Sequence, residues 1–276
     1  MIHMSKLTLF LLCLLPSALV FGNLGTWTLI DNFSSGNADA WTLSGTDSNT
    51  VSSGYKNVIP DPTDPSNMVL DFFTDGTFDS VSLRAYYTLP TVIPGTQEAA
   101  TFFYRTYATG PDVNSAAGLS WHATPNNWDR YRSLVFVQSQ SNRTDDPNLI
   151  YRDGGGNAPA WDTLETGTWY SIWQVIYPQT KTFDVYIQGG QWVDQTLVVA
   201  GAGMRDQHSE NVDYQAVLLS NEGWASPHRL HNALFDDIYV DYTGVNLTVV
   251  PEPSHAALAL GLLAVVALVV RRRRRA

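Results

Sequence analysis

The chain has 276 residues, 44% of them hydrophobic, 12% aromatic and only 15% charged, with a formal net charge of −10. That acidic balance argues against nucleic acid or anionic lipid as a partner, because neutralising phosphates takes basic residues. The single cysteine, Cys13, excludes a framework of disulfides.

His3 and Lys6 give a weakly basic start, and Leu7–Val20 form an apolar stretch broken only by Thr8, Pro16 and Ser17. This is the layout of a secretory signal handled by the Sec export machinery. Val20 and Gly22 are small enough for the positions before a cleavage site, so residues 1–22 are expected to be removed ahead of Asn23. The stretch is short for a transmembrane anchor, and Pro16 interrupts it. Cys13 does not mark a lipoprotein, because Leu12 stands where a small residue is needed.

Residues 23–249 are expected to form one β domain. They hold ten basic and 25 acidic residues, a formal charge of −15, together with all nine tryptophans and all thirteen tyrosines. Segments rich in β-branched and aromatic residues recur along them: Thr26–Phe33, Met68–Phe73, Val81–Leu89, Ala100–Ala108, Gly118–His122, Tyr131–Ser139, Trp169–Tyr177, Thr182–Gln188, Gln195–Val199, Gln215–Ser220 and Leu234–Tyr242. Clusters such as Pro60–Pro65 and Asp153–Asn157 separate them as turns. In Thr182–Gln188 the apolar Phe183, Val185 and Ile187 alternate with Asp184, Tyr186 and Gln188, and Pro178–Lys181 joins this strand to the one before it as a hairpin. No segment inside the domain has a helical period. About eleven strands at this spacing predict an all-β, antiparallel, two-sheet jelly-roll sandwich.

Three short motifs strengthen that expectation. Leu29-Ile30-Asp31-Asn32-Phe33 followed by Trp41 is similar to the opening strand of concanavalin-A-like and laminin-G-like sandwiches. Gly167-Thr168-Trp169-Tyr170 resembles their central strand pair, and Phe235-Asp236-Asp237-Ile238-Tyr239-Val240 resembles their closing strand. The resemblance implies the fold more than an activity.

Glycoside hydrolysis needs two carboxylates across the sugar bond, which sandwich glucanases place as Glu-x-Asp-x-x-Glu. The four glutamates before the tail, Glu98, Glu165, Glu210 and Glu222, do not make that spacing. Arg130-Tyr131-Arg132 and Tyr104-Arg105 have the residue types of a polysaccharide lyase, but arginines alternating with aromatics on a strand are more often surface residues. His228 and His231 have no third ligand at metal spacing. The domain is therefore expected to be non-catalytic. A structural calcium is a further expectation, with Asp31 of the opening strand meeting Asp236 or Asp237 of the closing one. Trp121, Trp128, Trp161 and Trp224 lie in or beside polar segments, where an indole can stack on a sugar ring while Asp, Asn and Arg take the hydroxyls. Polysaccharide is accordingly the expected ligand.

The last segment, 250–276, has three parts. Val250-Pro251-Glu252-Pro253-Ser254 ends the preceding structure. Ala256–Val270 is an uncharged apolar run able to enter a bilayer as a single transmembrane helix, and Arg271, Arg272, Arg273, Arg274 and Arg275 would stay on the cytoplasmic side. The run covers only about 22 Å as a helix, against a hydrocarbon core of about 30 Å. This tail resembles the PEP-CTERM sorting signal of Gram-negative bacteria, with Pro251, Glu252 and Pro253 at its namesake positions. The resemblance implies an exosortase as partner, an inner-membrane intermediate, and delivery to the cell surface or extracellular matrix.

The expectation is thus an exported, surface-sorted, non-catalytic sandwich that binds glycan. The alternatives are a structural matrix or adhesion protein without glycan binding, and a divergent glycan-degrading enzyme.

Overall fold

A computed structural model describes residues 26–44, 54–75, 82–109, 113–125, 130–138, 147–161, 163–205, 211–222, 230–248 and 250. The signal at 1–22, the tail from Pro251 onward, and Trp128 and Trp224 lie outside the described residues. Among the described residues no helix is long and apolar enough to cross a membrane. Thr28–Leu247 form one compact unit.

Among the described residues, fifteen strands build two antiparallel sheets. Their spans are β1 Trp27–Asp31, β2 Thr42–Ser44, β3 Gly54–Pro60, β4 Met68–Asp75, β5 Ser82–Ile93, β6 Ala100–Ala108, β7 Asn114–Ser120 and β8 Val135–Gln138. The chain continues with β9 Asn148–Asp153, β10 Gly156–Trp161, β11 Trp169–Tyr177, β12 Thr182–Gly189, β13 Trp192–Gly203, β14 Tyr214–Glu222 and β15 Leu230–Asp241. Sheet A runs β13-β12-β11-β6-β15-β4-β3, with β1 also on β15, and sheet B runs β10-β9-β8-β7-β14-β5-β2. The expected all-β, two-sheet, jelly-roll-like sandwich is therefore the architecture observed.

Alternation decides which side chains enter the core. In β12, Phe183, Val185 and Ile187 are buried between the sheets. Register from Tyr177↔Thr182 onward makes β11 and β12 the expected hairpin. Lys181 closes the turn at φ 57°. From sheet B, Leu83 and Ala85 of β5, Ala117 and Leu119 of β7 and Val217 and Leu219 of β14 meet them. Two buried amides tie the layers together. Gln174 Nε2 of β11 donates to the Ala117 carbonyl at 2.9 Å, and Asn221 Nδ2 of β14 donates to the Phe72 carbonyl at 2.6 Å. Each fixes the sliding of one sheet on the other, which apolar contact alone leaves loose.

β7 and β8 meet through an irregular stretch. Ala117 pairs with Val135 while Ser120 bridges Tyr131, so the β8 side carries one extra residue, a bulge. The Arg132 amide donates to the Leu119 carbonyl at 2.8 Å, and the Ser133 carbonyl is driven toward Gly118.

Candidate functional site

The outer face of sheet B is assembled from side chains that alternate with the core positions. Register places Ser44, Arg84, Ser220, Ala116, Phe136, Ile150 and Pro159 in one row across β2, β5, β14, β7, β8, β9 and β10. The neighbouring row holds Asn114, Gln138 and Asn148. On the other side of the first row, Tyr86, Leu218, Tyr131 and Leu134 join Ala116, Phe136 and Ile150 in an apolar cluster separate from the main core. The first row is thus polar at Ser44, Arg84 and Ser220 and apolar from Ala116 to Pro159, and with the amides of the neighbouring row its polar residues form a band beside the apolar cluster. From β5 to β9 it spans about 19 Å at ~4.8 Å per strand.

The polar band has an uncommon property. Arg84 and Ser220 are fully buried, and Asn114 and Asn148 are nearly so. Ser220 Oγ, Asn114 Nδ2 and Asn148 Oδ1 have no hydrogen-bond partner among the described residues. An unsatisfied buried polar atom costs about 1–3 kcal/mol, and native proteins keep few of them. Ser220 on β14, Asn114 on β7 and Asn148 on β9 all belong to this one face.

The tryptophans chosen from sequence divide. Trp121 follows β7, and the Arg130 guanidinium lies 4.7 Å above its ring. Its neighbour Ala123 accepts a hydrogen bond from Thr88 of β5, so this segment edges the same face. Trp161 is in β10 instead of a loop, and 45% of it is exposed. It packs edge-on against Trp192 at 5.2 Å, which in turn meets Tyr170. Pro159, Ala160, Trp161 and Thr163 line an open recess of about 370 Å³ at this edge.

The three aspartates expected to share a cation have other partners. Asp31 Oδ1 accepts from the Phe33 amide at 2.8 Å and Oδ2 from Trp41 Nε1 at 2.9 Å. Asp236 Oδ1 accepts from the Asp237 amide and Oδ2 from Asn67 Nδ2, both at 2.8 Å. Arg105 Nη1 lies 3.3 Å from Asp237 Oδ2 and 3.8 Å from Asp236 Oδ2. N–H donors and a guanidinium therefore engage these carboxylates, a setting that does not fit calcium, which takes six to eight oxygens. Among the described residues no group of three or more His, Cys, Asp or Glu is placed to hold a metal.

What Asp236 and Asp237 do instead is shape the closing strand. A register shift lies between Asp236 and Tyr239, and Asp237 takes φ 49°. Burial, then the Asp237 charge, pushes the Asp236 carboxyl up to about 7. Folded Asp236 keeps a proton that the unfolded chain releases near its ordinary value of 3.8. Across that interval the folded state binds more protons, so stability falls as pH rises from about 4 to about 7. Urea melts at about pH 5 and about pH 8 should show this loss, and Asp236→Asn should reduce the difference. An unchanged difference in the variant counts against it.

Sequence reasoning found the aromatic edge of the site but missed Arg84, Asn114, Asn148 and Ser220. Nothing local marks them, since each stands among other polar residues of its strand, such as Ser115 and Ser120 in β7 or Asn221 and Glu222 in β14.

No family model matches the chain, and no curated protein matches it either. Among solved structures it is similar to a GH131 beta-glucanase catalytic domain from Podospora anserina, with TM-score 0.52 and 14% identity over 78% of this chain and 89% of that one. It is also similar to the cellulose-induced protein Cip1, with TM-score 0.50 and 15% identity over 79% and 99%. The lectin UEA-II complexed with galactose aligns at TM-score 0.49 and 13% identity over 78% and 97%. At these identities the likeness is one of fold. It corrects the expectation of a non-catalytic domain, because the same sandwich is a catalytic domain in the Podospora protein. That expectation rested on the spacing of glutamates within one strand, whereas a sheet brings together acids distant in sequence.

Proposed function

We propose that this chain is an exported, surface-sorted protein whose sandwich binds polysaccharide across the outer face of sheet B. The observation that carries the reading is the set of buried polar atoms on Ser220, Asn114 and Asn148 without a hydrogen-bond partner among the described residues, beside an aromatic band. Sugar hydroxyls both donate and accept, and sugar rings present apolar faces to the half-buried Tyr86. Trp161, exposed and backed by Trp192, adds a stacking surface at the β10 edge.

Ser220→Ala is the direct test. It deletes a hydroxyl that has no hydrogen-bond partner among the described residues, so the melting temperature should hold or rise slightly. Affinity for glycan should drop several-fold, the value of about 1 kcal/mol for one hydrogen bond. Tryptophan fluorescence across a panel of soluble glycans reads binding. Silence of the wild type across the panel, or undiminished binding by the variant, sinks the reading. The same panel should be assayed for new reducing ends, because cleavage of the bound chain is the second reading that the fold likeness favours.

Delivery is supported by the two ends of the sequence. Pro251, Glu252 and Pro253 precede the apolar run and Arg271–Arg275, the order of a signal handed to an exosortase at the inner membrane. Replacing the three motif residues with alanine should trap the protein in the membrane fraction. Normal surface delivery of that variant would remove the sorting role.

A further inference from the structure

We propose that the recess at Trp161 is a second glycan contact, separate from the outer face of sheet B, which takes one neutral hexose ring of another chain and makes the domain bivalent. The proposal rests on the glycan-binding reading and goes beyond it by adding a site on the opposite side of β10. It follows from side-chain direction. Trp161 pairs with Leu149 across β9 and β10, and residues opposite each other in an antiparallel pair project from the same side of the sheet. Leu149 fills the core between the sheets, whereas Ile150, next in β9, belongs to the outer apolar cluster. Trp161 therefore stands on the inner side of sheet B, at its last strand. Trp192 of β13, the last strand of sheet A, meets it there.

The indole is fixed before any ligand arrives. Trp161 is 45% exposed and packs edge-on against the buried Trp192, which packs edge-on against the buried Tyr170 at 6.0 Å. Tyr170 is anchored in turn. Its hydroxyl accepts the Glu165 amide at 2.7 Å, and the turn between β12 and β13 closes onto it at Gly190, where a Cβ would come 2.6 Å from that hydroxyl. A ring held this way loses little freedom when a ligand stacks on it. Pro159, Ala160 and Thr163 complete the recess of about 370 Å³, inside the range of about 300–1,000 Å³ usual for small-molecule sites. Gln191 Nε2 donates to the Thr163 carbonyl at 3.1 Å and holds that wall in place. An indole, a proline ring and one hydroxyl suit a sugar ring with an apolar face and a rim of hydroxyls. Among the described residues lining the recess none is basic, so an acidic sugar has no counter-charge there.

The β10 backbone lies between the recess and the outer row, where Pro159 opposes Ile150. A stiff chain laid across the outer row would have to fold around a single strand to reach Trp161. The sugar in the recess therefore belongs to a second chain, and one domain joins two. Repeated along a polymer, such joints cross-link it.

The experiment mixes the folded protein with soluble galactomannan, xyloglucan and mixed-linkage β-glucan, and follows tryptophan fluorescence for binding and light scattering for cross-linking. With a chain that binds, scattering should rise with protein and fall again in excess, the signature of a bivalent linker. Trp161→Ala should remove the scattering while the chain is still bound in solution, with an unchanged melting temperature. Trp161→Phe, which keeps a ring, should retain most of it. Methyl hexosides titrated alone should bind the wild type and Ser220→Ala equally and Trp161→Ala at least about tenfold more weakly. Binding without scattering, or scattering that survives Trp161→Ala, overturns the second site and leaves the outer-face reading standing. Loss of all polysaccharide binding in Trp161→Ala makes the recess the sole site and overturns both. Silence of the wild type toward every glycan also overturns both.

Discussion

Gly118→Ala is expected to be the most damaging single substitution in the sandwich, lowering stability by about 3 kcal/mol or more. A Cβ built at Gly118 would sit 1.8 Å from the Ser133 carbonyl oxygen and 2.9 Å from its carbon. Both are backbone atoms, so no side chain can swing aside to relieve the overlap. The carbonyl cannot retreat either, because neighbouring bonds pin its segment. The Arg132 amide donates to Leu119 at 2.8 Å, the Arg152 amide to Leu134 at 3.0 Å, and the Leu119 amide to Ser133 Oγ at 3.2 Å. Relief would mean separating β8 from β7 and dispersing the apolar cluster around Tyr131 and Phe136. For a domain of this size the melting temperature should fall by roughly 6–12 °C. Glycan binding should weaken with it, since β7 carries Asn114. A variant that melts like the wild type would show that the bulge is not as rigid as its hydrogen bonds imply.

The second large effect concerns Asp31 and Trp41. Trp41 is 1% exposed, and its indole N–H depends on Asp31 Oδ2 for a partner. The other oxygen of the same carboxylate accepts the amide of Phe33, a buried residue held at φ 55°. One carboxylate thereby fixes the turn after β1 and satisfies a buried donor ten residues on. Trp41→Ala should cost about 3–5 kcal/mol through the cavity it leaves. Asp31→Ala should cost about 1–3 kcal/mol, because it strands the indole N–H without a partner. Denaturant melts check both. The same measurements with calcium and with a chelator separate this staple from a cation site. A wild-type melting point raised by calcium, with the rise lost in Asp31→Ala, would restore Asp31 as a ligand.

Much of the fold was readable from alternation. Ala100–Ala108 and Trp169–Tyr177 were expected as strands and are β6 and β11 with the same limits. Both have neighbours on either side in sheet A, and most of their residues on both faces are apolar or aromatic, with Arg105 and Gln174 among the exceptions. β3 and β2 were not foreseen. They lie at sheet edges, and the exposure of β3 alternates only between open and half-buried, so Lys56 and Asn57 are tolerated and the apolar signal is weak. β9 and β10 were hidden by Asp153–Asn157, which was expected as a separating turn. It is the tip of the hairpin those two strands form, with Asp153 paired to Gly156.

The candidate site was legible only at its rim. Trp161 stood out because Pro159, Asp162 and Thr163 surround it with non-core residues, and it is exposed as such a setting suggests. Trp121 stood out for the same reason, but Arg130 takes one face of its ring.

By itself the sequence determined the class of the domain, the β11–β12 hairpin and most of the residues that fill the core, because side-chain alternation at period two is a local property of each strand. Only the tertiary structure decided which strands are neighbours. Backbone ladders form equally well between any two strands, so the row joining Arg84 of β5, Ser220 of β14 and Ala116 of β7 is written in no local stretch of the chain. That row exists because the sandwich buries the alternate residues of all three strands on its inner side, which leaves Arg84 and Ser220 together on the outer one.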